Sequence, residues 1–142
     1  MRRENEEDYS GMVKNISGAL AAGLIAALLQ CVGIQLLGHF GVTSFHGISL
    51  TPKLTMAWLY PRLVWGSIWG LLFAFPLFKD QPFWRGILFS MGPTLMVFLK
   101  FVPGMGKSVL GFTFGSLAPE LVLLLNIGWG IIAAFWYRES QR

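Results

Sequence analysis

Apolar residues in this chain neither alternate with polar ones nor recur on one helical face; they gather into four long runs. The first is 15–37 (NISGALAAGLIAALLQCVGIQLL), within an interval that carries no Lys, Arg, Asp or Glu between Lys14 and Lys53. The second is 58–78, an uncharged core bracketed by Arg62 and Lys79. The third, 83–102, is uncharged from Gly86 to Leu99, and the fourth, 117–137, from Leu121 to Tyr137. A helix rises about 1.5 Å per residue, so about 20 apolar residues cross a hydrocarbon core of about 30 Å. The pattern therefore predicts an all-α polytopic membrane protein, a bundle of four transmembrane helices. A charged tail (1–14) precedes it and a short one (138–142) follows.

Local punctuation agrees with these limits. Pro61, Pro82 and Pro119 fall at or near predicted first turns, where a missing N–H removes no helical bond. Ser116 is placed to cap the fourth helix. Pro93, after Gly92, lies inside the third span and predicts a kink of the kind membrane helices tolerate. Trp58, Tyr60, Trp84, Trp136 and Tyr137 mark the expected interfaces.

The heptapeptide WGLLFAF (69–75) returns as WGIIAAF (129–135), with W-G-x-x-x-A-F in register. At this offset Gly66, Gly70 and Ala74 of the second helix correspond to Asn126, Gly130 and Ala134 of the fourth. Such i, i+4, i+8 rows let backbones approach closely where lipid supplies no hydrophobic drive for association. The first helix has its own row at Ala19, Gly23, Ala26, Gln30 and Gly33, and the third at Gly86, Ser90 and Thr94. A duplicated helical hairpin, two plus two about an axis along the membrane normal, is one origin for the repeat; close packing is its use in either case.

Composition strengthens the membrane reading. Of 142 residues, 54% are hydrophobic and only 13% charged, against about a quarter charged in a soluble domain. The net charge of +4 is scattered, with no basic stripe interleaved with aromatics, so nucleic acid is not an expected partner and anionic lipid head groups are. With four spans, Arg2, Arg3, Lys14, Lys79, Arg85, Arg138 and Arg142 share a side, and Lys53, Arg62, Lys100 and Lys107 the other; the bias puts both termini in the cytoplasm. Arg2-Arg3 is followed by Glu4, Glu6, Glu7 and Asp8, unlike a signal peptide, so the first span reads as a retained helix. Cys31, the single cysteine, has no internal disulfide partner and reads as a buried small residue.

Candidate chemistry is sparse. PGMGKSVLG (103–111) contains GKS, but a phosphate-binding loop needs a glycine where Phe101 stands, and a strand before it, so no nucleotide is expected. His39 and His46 lack a nearby acid or thiol to complete a metal site. Glu120 opens the fourth helix, where it complements the helix dipole; it is also placed to pair with Arg62 at the start of the second helix, with Lys100 completing a polar mouth. Gln30 and Asn126 lie deep in their spans and read as interhelical hydrogen-bonding groups or as a polar lining for a small solute. No acid or base lies at mid-depth, and no catalytic residues or cofactor are assigned.

FWRGILFSMG (83–92), Pro103, Glu120, Trp129-Gly130 and Arg138 give the chain from the second helix onward a layout that resembles small bacterial inner-membrane proteins of the YagU-like kind. The longer outer insertion expected between the first two helices of that kind is missing here. The resemblance implies a bacterial inner membrane and carries no functional residues over. Three classes of function fit these features. The first is a structural or accessory membrane subunit, self-associating or docked on a membrane partner. The others are a channel or transporter of several copies and a membrane enzyme acting on lipid or quinone.

Overall fold

The computed structural model describes residues 2–49 and 52–142; Met1 and, in the first long loop, Leu50 and Thr51 lie outside the described residues. The order is α1 (Arg2–His39), α2 (Val42–Phe45), α3 (Met56–Gly70) continued by a 3-10 stretch (Leu71–Ala74), and α4 (Pro82–Met96). A π-helical stretch (Val97–Phe101) leads α4 into α5 (Val102–Gly104), and a 3-10 stretch (Val109–Phe114) precedes α6 (Ala118–Ser140). Among the described residues there is no strand. The protein is all-helical, and three of its helical runs are long and apolar enough to cross a membrane: Glu6–His39, Pro82–Gly104 and Ala118–Ser140.

The region expected to supply a span at 58–78 behaves differently. Thr55 caps α3, its hydroxyl accepting from the Trp58 N–H at 3.2 Å, so the helix begins slightly early. It then leaves α geometry after Gly70, and the 3-10 stretch ends at Ala74. Pro76 explains the stop. A residue before proline is pushed out of the αR region, and Phe75 is extended at φ −72°, ψ 139°. The apolar residues 75–78 thus lie in a turn, not in the helix that hydropathy assigns them to.

The N-terminal end differs in the opposite sense. Residues 2–14, expected as a separate tail, continue α1 without a break. At about 1.5 Å per residue α1 is about 57 Å long, nearly twice a hydrocarbon core. In α4, Pro93 removes an N–H without ending the helix, which widens to π geometry four residues later, at Val97.

Lateral packing follows the order α3, α1, α6, α4. The long helices alternate in direction. At one end the Lys14 ammonium donates to the Gln141 carbonyl (3.3 Å) and the Tyr137 hydroxyl to Asn15 (3.2 Å); the Arg85 guanidinium there meets the end of the 3-10 stretch. At the other end the two long loops join, with Ser49 N–H donating to the Phe114 carbonyl at 2.7 Å.

The interior is made of small residues. Ala19, Ala22, Ala26, Ala27, Ala133 and Ala134 are buried, with Phe73, Phe89, Trp129 and Tyr137 filling the wider gaps. Leu24, Leu28, Leu29, Val32, Leu36, Ile68, Leu95 and Leu124 face outward. A water-soluble bundle arranges these sizes the other way, because burying Leu rather than Ala is what removes apolar surface from water. This inside-out distribution suits an apolar surrounding medium.

Candidate functional site

Helix crossings define the centre of the molecule. A Cβ built on Gly23 would lie 2.7 Å from the Gly70 Cα, and one on Gly86 2.7 Å from the Gly130 carbonyl carbon. Only glycine permits either approach. Gly66 meets Ala27 and Gly23 beside the first crossing. Ala134 is buried, while Ala74 is half-buried where the 3-10 stretch ends. Each glycine of the repeated W-G pair therefore sits on a glycine of the long helix preceding it. The two tryptophans reach further. Trp129 Nε1 donates to the Gly23 carbonyl at 3.1 Å, and the Trp69 ring closes over Gly92. Each thus crosses to the first long helix of the other hairpin, although the two contacts are not in the same register.

A polar chain lies beside these crossings. Gln30 Nε2 donates to Asn126 Oδ1 (3.2 Å), Asn126 Nδ2 to Thr94 Oγ1 (3.1 Å), and the Thr94 hydroxyl to the Ser90 carbonyl (2.7 Å). Asn126, Thr94 and Ser90 are buried and Gln30 half-buried. The chain links α1, α6 and α4 and uses both ends of the Asn126 amide.

The expected polar mouth is not assembled. Arg62 donates to the Trp58 carbonyl (2.9 Å) and lies 4.3 Å from the Trp58 ring centroid. Because α3 begins at Met56, Arg62 lies nearly two turns inside the helix and takes its partner one turn back on it. Arg62, Glu120 and Lys100 are all exposed, and among the described residues no ion pair joins Arg62 to Glu120. His39 and His46 are exposed as well, and among the described residues no group of three His, Cys, Asp or Glu converges. Lys107 lies 5.8 Å from the Phe114 ring centroid.

Arg85 is the residue that sequence reasoning missed. It is 3% exposed, and its Nη2 donates to the Phe73 carbonyl and, at 2.7 Å, to the Phe75 carbonyl. The rings of Phe73, Phe89 and Tyr137 surround it at 5.2–5.8 Å. A cation here complements the carbonyl end of the α3 helical segment and satisfies acceptors freed where the helix stops. The signal was present: an arginine in the first turn of its own helix opposes that helix's dipole and needs a partner elsewhere.

Fold and site together define a small all-helical protein with three membrane-length apolar helices, in which glycine crossings join α1 to α3 and α4 to α6. Comparison with protein-family models, with curated proteins and with solved structures finds no match.

Proposed function

We propose that this chain is a four-span inner-membrane protein with both termini in the cytoplasm, acting as a structural or accessory subunit through helix contacts. Length supports the fourth crossing. Fifteen α-helical residues and four 3-10 residues, at about 1.5 and 2.0 Å each, reach about 30 Å, one hydrocarbon thickness. The alternating helix directions fit an even number of crossings, and the Lys and Arg bias fits the orientation. The repeated crossings are what a duplicated two-plus-two hairpin would leave behind.

The observation that carries the accessory role is Gly128. It lies on α6 between exposed Leu124 and exposed Phe135, and a Cβ added there would meet nothing within 4 Å. Every other glycine of the α3 and α6 crossings is already filled by a neighbour. An open glycine on an outward apolar face is where a further helix, from a second copy or a membrane partner, packs closely. The Gln30–Asn126–Thr94 chain, whose members bond one another, acts in this reading as an interhelical tie.

Two measurements test the proposal. Gly128→Leu is expected to abolish co-purification or self-association in mild detergent while leaving the helical spectrum and melting temperature unchanged. Association that survives this change ends the accessory reading at this face. Reporters at Met1 and Arg142 are expected on the same side, with one at Lys107 opposite. Termini on opposite sides would remove α3 from the membrane.

A further inference from the structure

The turn between α3 and α4, FPLFKDQPFW (75–84), is more apolar than a water-facing loop needs to be. Phe75, Leu77, Phe78, Phe83 and Trp84 expose 48–60% of their surfaces. Contiguous exposed apolar surface of this kind marks contact with a partner or a membrane. The turn is not loosely held. Gln81 N–H donates to the Phe78 carbonyl (3.1 Å), and Arg85 N–H to the Gln81 carbonyl (3.0 Å). The buried Arg85 guanidinium grips the Phe75 carbonyl at the base.

We propose that this turn lies in the headgroup–acyl boundary of the leaflet on the side of both termini, with the lipid surface itself as its partner. The inference rests on the four-span reading. If α3 and its 3-10 extension cross the hydrocarbon, Phe75 leaves the helix at the depth of that boundary. Seven residues (75–81) then separate the end of the 3-10 stretch from Pro82, so the chain re-enters without travelling far into water. Phe and Trp are suited to this depth, where an apolar ring meets partly hydrated backbone. Exposed apolar residues occur on both arms of the turn, before and after the tip charges Lys79 and Asp80. A medium that surrounds the turn covers both arms, whereas a protein surface touching one side does not. Lys79 and Asp80 cancel in charge, so apolar contact holds the turn. Arg85 acts as a positioning residue that fixes where the turn begins.

The test uses the full chain with Cys31→Ser, a cysteine introduced by Leu77→Cys, and an environment-sensitive fluorophore on it in phosphatidylcholine vesicles. Emission is expected to shift to the blue, with stronger quenching by lipids bearing a spin label near the headgroup than by lipids labelled near the chain end. A companion Val64→Cys label on α3 is expected to show the reverse depth preference. A water-like Leu77→Cys signal quenched by aqueous iodide, beside a lipid-quenched Val64→Cys signal, overturns the proposal and leaves the four spans standing. If neither label is lipid-quenched, both readings fall. A blue-shifted Leu77→Cys signal that no lipid quenches means protein covers the turn and also overturns it. Phe78→Cys repeats the reading should Leu77→Cys fail to reconstitute.

Discussion

At Gly130 an added Cβ would stand 2.9 Å from the Ser90 Cβ and closer still to the Gly86 carbonyl oxygen, whereas at Gly128, half a turn away, it would meet open space. Gly130→Ala is therefore expected to lower stability by about 1–3 kcal/mol, the cost of overpacking a close-packed seam. Gly128→Ala is expected to leave thermal unfolding in detergent unchanged or slightly raised, since alanine favours a helix interior by up to about 1 kcal/mol over glycine. Asn126→Leu removes the acceptor of Gln30 and the donor to Thr94 together, and a loss of about 0.6–1.7 kcal/mol is expected in the same assay. Arg62→Glu and Glu120→Arg should add within about 0.5 kcal/mol in a double-mutant cycle, because Arg62 rests on Trp58. The glycine rows were legible in the sequence because spacing alone puts i, i+4 and i+8 on one helix face. The partner of each arginine was not. Both were read as lying near helix starts, and only the fold decides that Arg62 turns to its own Trp58 carbonyl and Arg85 to the end of the preceding helical segment.

Elements were legible to the extent that a continuous apolar run stands for a helix. That rule holds for α1, α4 and α6 and fails at 75–78, where hydropathy counts Phe-Pro-Leu-Phe as four more helical residues while Pro76 forces Phe75 out of αR. The same rule undercounts α1, whose helix geometry continues without a break through the charged residues that precede its apolar run. At the far end of α6, the Tyr137–Asn15 bond and the Lys14–Gln141 contact fasten the last turn to α1. Tyr137→Phe should speed amide hydrogen exchange across 138–141 while exchange around Trp129 stays slow. Equal acceleration at both places would mean that the contact supports the whole helix.

For the molecule as a whole, the sequence revealed the class of environment through its low charge and apolar runs. It did not reveal the lateral order α3, α1, α6, α4. Each small-residue row is compatible with several neighbours, and side-chain fit at Gly23, Gly86 and Trp129 selects among them. The α3 and α4 helices, adjacent in sequence, meet chiefly through aromatic side chains. Trp69 lies over Gly92, and Trp65 approaches Phe101 at a centroid distance of 6.2 Å. Replacing Trp69 by Ala should therefore part α3 from α4 while the glycine crossings hold, read as a lengthened distance between spin labels at Ile68 and Leu95 with helix content unchanged.

On the proposed four-span reading, that lateral order has a mechanical outcome. When a cantilever draws the chain out of a bilayer by Arg142, α6 is the first cylinder to leave, and its departure leaves α4 held only by its aromatic contacts with α3. The second hairpin should then come away in one large rupture, followed by a separate, later event as α3 is torn from α1. Drawn from the N-terminal end, the same protein loses at the outset the helix that touches both α3 and α6, so the two force traces should not mirror each other.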